Sequence, residues 1–186
     1  NSYIRNDGNG KFTLSALPSE TQYSCMNGMV TEDFDHDGNL DVLMIGNDYG
    51  TEVSVGRYDG CNGLFLKGDG NGGFKPATIV QSGWFVPGDA KALVKLRSSN
   101  NKCLLIASQH KGSLKAFMVN KDAKYLPVTS TEISAVVTYK NGKRQKRELS
   151  YGASFLSQSG RFLNLDENIS KVEIRDYKGS IRTINL

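Results

Sequence analysis

Long hydrophobic runs are missing from this sequence. The longest, at residues 42–45, 104–107 and 116–119, fall far short of the roughly 20 apolar residues a helix needs to cross a bilayer, so the chain is not expected to span a membrane. Cysteine is sparse too. Cys25, Cys61 and Cys103 are odd in number and lack metal-type spacing, which argues against a disulfide framework and leaves buried or incidental thiols. Histidine is confined to His36 and His110, no Ser or Cys nucleophile motif occurs, and no Gly-rich phosphate loop opens a helix. Catalysis therefore has little support, and the chain is expected not to be an enzyme. It opens at Asn1 without an initiator Met or a basic-then-apolar leader, and the expectation is a piece cut from a longer precursor.

What is present points to an all-β protein. Hydrophobic residues at 38% and charged residues at 23% exclude disorder, and 186 residues suit one or two domains with their own cores. The 20 glycines cluster with Asn and Asp, the punctuation of tight turns between short strands. Charge is unevenly placed: residues 1–127 hold 13 basic and 13 acidic side chains, residues 128–186 hold 10 and 6. The whole positive excess lies in the C-terminal third.

An internal repeat organises the rest. The stretch from Tyr3 to Phe12, built on Asp7-Gly8-Asn9-Gly10, recurs from Phe65 to Phe74 on Asp69-Gly70-Asn71-Gly72, an offset of 62 residues that carries Asp7 onto Asp69. Both copies read as hairpins, because Asp, Asn and Gly tolerate positive φ and the flanking Tyr, Phe, Ile and Leu favour strands. The same offset lays residues 33–44 over 95–106, apolar run for apolar run. Two blade-like repeats of about four strands are expected, near 1–60 and 61–127. Two blades cannot close a propeller ring, so either further blades lie in the full-length chain or these two pack in another way.

The acidic stretch Asp33-x-Asp35-x-Asp37-Gly38-Asn39-x-Asp41 carries the clearest chemistry. Carboxylates at alternate positions wrap a hard cation if the chain curls, Gly38 permits the curl, and the backbone carbonyl of Asn39 completes an oxygen shell. Calcium suits this donor set better than magnesium, which keeps its waters, or zinc, which wants His or Cys; His36 falls between ligand positions. The spacing departs from an EF-hand at Met44, where that loop needs a bidentate Glu. The competing reading is a bare turn, since Asp and Asn favour turns without metal. In the second copy the matching positions are Lys95, Arg97, Ser99 and Cys103, so one calcium site is expected and not two.

Three further features invite a functional reading. The run Lys140, Lys143, Arg144, Lys146, Arg147 straddles a hairpin turn and suits acidic polysaccharide or nucleic acid, but ordinary edge solvation explains it and no RNA-type aromatic motif accompanies it, so no nucleic-acid partner is expected. Trp84, the one tryptophan, is a sugar-stacking platform if exposed and a core anchor if buried. The insert at 47–59 lengthens the link after the acidic loop's strand, and its Tyr49, Arg57 and Tyr58 are candidate ligand contacts.

Asn6-Asp7-Gly8-Asn9-Gly10-x-Phe12 followed by the Asp33–Asp41 pattern resembles the FG-GAP or VCBS-type repeat of integrin-like β-propellers over about residues 1–126. That resemblance implies calcium between strands of a blade. The last third, 128–186, is similar to the small ASPIC/UnbV domain in Arg147-Glu148-Leu149 and in Gly152-Ala153-Ser154-Phe155-Leu156-Ser157-Gln158-Ser159; Asp176-Tyr177-Lys178-Gly179 replaces that family's Trp-Pro. The residues of this third also read alone as a small β-sandwich or barrel, with one hairpin of 133–139 and 147–151 about a type I′ turn at Asn141-Gly142 and another about Lys178-Gly179. The resemblances imply an extracytoplasmic protein, secreted or attached to a cell surface, notably bacterial, that binds or adheres to a glycan or protein. Two alternatives stand beside this: a fragment of a calcium-containing propeller polysaccharide lyase, and a purely structural spacer or cap.

Overall fold

The computed structural model describes residues 1–100, 102–120, 124–152 and 154–186; Asn101 and Ala153, which figure in the repeat and in the ASPIC/UnbV-like stretch, lie outside them. The fold is all-β, in antiparallel sheets with no closed barrel among the described residues. β1 (Ser2–Gly8) and β2 (Lys11–Ala16) form the first hairpin, with Gly8, Asn9 and Gly10 at positive φ as the Asp-Gly-Asn-Gly turn requires. β3 (Met26–Glu32), β4 (Asp41–Gly46), β5 (Leu64–Gly68) and β6 (Phe74–Ala77) follow one another in a four-stranded meander. β7 (Ala90–Arg97), β8 (Cys103–Gln109) and β9 (Lys115–Met118) form a three-stranded one.

The sheets are phased half a repeat away from the sequence pattern. The offset lays β1 and β2 over β5 and β6, and β3 and β4 over β7 and β8, yet β5 pairs with β4 and β6 with β5, completing the sheet that β3 begins. The repeated hairpin is thus the outer half of one sheet, joined in sequence to the inner half of the next. The Asp69 turn is held by its own carboxylate, which accepts the amides of Asn71 at 2.7 Å and Gly73 at 2.9 Å.

β4 is buried along its whole length because both faces of its sheet are covered. On one face Leu43 and Ile45 pack with Val30, Leu93, Leu105, Trp84 and Val86 against the three-stranded sheet. On the other, Val42, Met44 and Leu66 meet Phe74, whose ring meets Tyr3 edge-on at 5.5 Å. Ile45 and Leu93 are 0% exposed, and each such side chain contributes about 1.5–3 kcal/mol of burial energy.

The C-terminal unit packs two sheets over one core. β10 (Lys124–Pro127) pairs with β13 (Phe162–Leu165), and β11 (Glu132–Tyr139), β12 (Arg144–Glu148), β14 (Ile169–Asp176) and β15 (Ile181–Asn185) pair in the order β12-β11-β14-β15. Val137, Val172, Ile174, Leu163 and Leu165 fill the space between. Two details differ from the sequence reading. β12 begins at Arg144 and not at Arg147, so Arg144, Lys146 and Arg147 of the basic run lie in the strand itself. The hairpin turn is not type I′: only Gly142 has positive φ, its amide donates to the Tyr139 carbonyl at 2.9 Å, and Tyr139 and Lys143 close a three-residue loop with a glycine bulge.

Candidate metal centre

The acidic loop joins β3 to β4, so its two ends are fixed by neighbouring paired strands, with Glu32 opposite Asp41. Asp41, the first residue of β4, accepts the Phe34 amide at 3.1 Å and the Gly68 amide at 3.0 Å. It thereby closes the loop on itself and ties it to β5. Asp33 accepts the amides of Asp37 at 3.1 Å and Gly38 at 2.9 Å, Asp35 also accepts Asp37 at 3.2 Å, and Asp37 accepts Asn39 at 2.7 Å. His36 and Gly38 take positive φ, which curls the chain around these carboxylates.

Asp33, Asp35 and Asp37 each offer an oxygen within 4.8 Å of the others. Asp41 stands outside that triple, turned to its two amides. The Asn39 side chain accepts from Lys143, and Asp35 forms an ion pair with Lys67. Burial pushes the Asp33 carboxyl up against the hydrogen bonds from Gly38 and Tyr139. Burial pushes Asp41 up to about 6, with the charges of Asp35 and Asp37 adding to it. The donor set is all oxygen, with no His or Cys in the triple, which fits a hard divalent cation such as calcium.

The C-terminal unit closes over this loop. The Tyr139 hydroxyl donates to Asp33 at 3.2 Å and the Gln145 amide to the Gly38 carbonyl at 3.1 Å. Immediately before the loop, Glu32, 4% exposed, accepts from Lys95 at 2.6 Å, Arg147 at 2.9 Å and Asn164 at 2.9 Å. Burial alone raises the Glu32 carboxyl, but the charges of Lys95 and Arg147 outweigh it and hold the group below its usual range. Four sheets thus meet at one carboxylate. Sequence reasoning missed Glu32, Tyr139, Gln145 and Asn164; the signal that existed was the two-residue alternation of β12, which sends Gln145 and Arg147 inward and Arg144 and Lys146 outward.

The remaining candidates lie elsewhere. Asn47, fully buried, anchors the insert by donating to the carbonyls of Cys61 at 2.6 Å and Gly88 at 2.8 Å. Tyr49 donates to Asp59 at 2.5 Å, Arg57 lies 4.8 Å over the Tyr49 ring, and Tyr58 bridges to Asp48. These three share one loop at the far end of β4 from Asp41, about 17 Å from the acidic loop by strand length. Trp84 is 4% exposed, donates to the Met44 carbonyl at 3.2 Å and packs on Phe117 at 4.5 Å. Its ring is a core anchor and offers no stacking platform. Cys25, Cys61 and Cys103 are all free.

The sequence matches no protein-family model and no curated protein.

Proposed function

We propose that this chain is a calcium-stabilised binding module of an extracytoplasmic protein, of the FG-GAP or VCBS blade type with an ASPIC/UnbV-like C-terminal unit, whose ligand is a glycan or a protein. The observation that carries the calcium reading is the convergence of Asp33, Asp35 and Asp37 within 4.8 Å on a loop curled at Gly38. Three carboxylates so close repel one another, and a divalent cation relieves that repulsion. The residues that would hold it are these three, with the Asn39 carbonyl and Asp41 completing the set. A bound ion would pin β3 to β4 and firm the loop on which Tyr139 and Gln145 rest.

The exposed apolar side chains of the first hairpin, Ile4, Phe12 and Leu14, support a reading in which further blades of the same type cover it. The alternative of a bare turn is separated from calcium by thermal unfolding. A ligand that binds only the folded state raises its melting temperature. We expect millimolar calcium to raise Tm over chelator in the unaltered chain and to leave Asp35→Ala unmoved. Equal Tm in both media for the unaltered chain defeats the calcium reading.

A further inference from the structure

The outer face of the C-terminal four-stranded sheet carries a cluster of basic side chains from the positively charged third of the chain. Cross-strand register sets its rows: Glu148, Ser134, Arg175 and Ile181; then Lys146, Val136, Glu173 and Thr183; then Arg144, Thr138, Lys171 and Asn185. The opposite face carries Ala135, Val137, Tyr139, Val172 and Ile174 into the core. Arg144 and Lys146 have side chains 63% and 64% exposed. Arg144 and Lys171 share Glu173, at 3.4 Å and 3.0 Å, and Lys146 meets Glu148 at 2.7 Å. Four cations thus face two carboxylates. The strand geometry spreads them over a patch roughly 10 Å wide across β12 to β14 and roughly 13 Å along the strands. A groove of about 370 Å³ runs through it, lined by Ser134, Val136, Arg144, Lys146, Glu173 and Arg175 among others.

We propose that this face binds an extended anionic glycan, whose carboxylate or sulfate groups seat on Arg144, Lys146, Lys171 and Arg175. Charge complementarity selects an acidic partner. The Thr138 hydroxyl lies between the cations of β12 and β14, the Thr183 hydroxyl and the Asn185 amide flank them on β15, and Glu148 and Glu173 accept hydrogen bonds, so the face presents donors and acceptors to a chain of sugar hydroxyls. Nucleic acid fits less well. None of these positions is aromatic, so no base has a ring to stack on, and a duplex carries a phosphate charge about every 1.7 Å, which sets phosphates against Glu148 and Glu173. The inference rests on the binding-module reading and names its ligand class; it does not depend on the cation.

The test is retention of the whole chain on immobilised heparin, polygalacturonate and neutral dextran in chelator, eluted with salt, together with an Arg144→Gln, Lys146→Gln, Arg175→Gln triple variant. These side chains are exposed, so the triple variant is expected to keep its Tm, read alongside. A second variant, Lys11→Gln with Lys75→Gln, removes exposed charge from the repeats instead. We expect salt-sensitive retention on at least one acidic column and none on dextran, at least a tenfold loss of affinity in the triple variant, and no change in the second variant. Heparin alone identifies sulfate as the seated group, and both acidic columns identify any anionic sugar. Equal retention on dextran, no retention on either acidic column, an unaffected triple variant, a triple variant with lowered Tm, or displacement by duplex DNA below the heparin concentration that displaces it each overturns the proposal. Because chelator is present throughout, this outcome is independent of the calcium-dependent Tm shift.

Discussion

The two copies of the repeat share strands and differ in what their loops do with charge. In the first, Asp33, Asp35 and Asp37 converge between β3 and β4. In the second, the offset puts Lys95 where Asp33 stands and Arg97 where Asp35 stands, and neither points at a cation. Lys95 reaches Glu32, immediately before the first copy's acidic loop, and Arg97 stacks 4.9 Å over Tyr125. One copy carries a cluster of negative charge, and the other supplies a positive charge that neutralises a neighbouring buried carboxylate. The position equivalent to Asp33 thus serves in the second copy as a joint between sheets.

The sharpest way to break that comparison is to give the second copy the first copy's residue. Lys95→Asp removes one of the two cations on Glu32 and places a second carboxylate beside it, with the Lys95 side chain 13% exposed in its pair. Breaking a buried pair from one side costs about 3–5 kcal/mol, and we expect at least that loss in denaturant unfolding. Adding Glu32→Gln should recover part of it, since the repulsion then disappears. A loss under about 1 kcal/mol would mean that the four-sheet node contributes no more than an ordinary exposed pair.

Packing offers a second contrast of intermediate size. Gly28 in β3 and Ala90 in β7 are equivalent positions, as are Ile45 and Ala107. Gly28 pairs with Ile45 in the first copy, whereas in the second a register shift pairs Ala90 with Gln109 and Ala107 with Leu93. A Cβ on Gly28 would lie 2.7 Å from Ile45 Cγ1 and 2.9 Å from Leu93 Cβ. Gly28→Ala should therefore destabilise by about 1–3 kcal/mol through overpacking. Ala90→Gly, which meets no clash, should cost nearer 1 kcal/mol through backbone entropy. Chemical denaturation of both variants checks the order, and equal costs would show that β3 and β7 relax apart.

How much of this was legible in the sequence follows from the range of each interaction. The Asp-Gly-Asn-Gly hairpins, the strands around them and the alternate carboxylates are set by neighbours a few residues apart, so the residues alone announce them. The half-repeat phase of the sheets is set by β4 pairing with β5 across the long connection from 47 to 63, and nothing local marks that pairing. Likewise Arg147 looked like part of a basic run at a turn, because its partner Glu32 is 115 residues away. The strand alternation in β12 held the information, but a strand starting at Arg147 and not Arg144 hid it. Trp84 was ambiguous for the same reason: its hydrogen bond to the Met44 carbonyl comes from 40 residues away.

The smallest effect comes from restoring one carboxylate to the second copy while leaving its cations. Ser99, exposed, occupies the place of Asp37 in a turn closed by the Ser98 amide on the Lys102 carbonyl at 2.9 Å. Ser99→Asp adds a turn-compatible residue at the surface, where substitutions usually change stability by less than about 0.5 kcal/mol. A lone new carboxylate beside Lys95 and Arg97 does not assemble a divalent cation site, because the positive side chains occupy the positions from which further oxygens would come. We therefore expect the Tm difference between calcium and chelator to be the same in Ser99→Asp as in the unaltered chain. A larger calcium response in the variant would show that the second loop retains most of a cation site after all, and that the two copies differ by one side chain and not by a change of role.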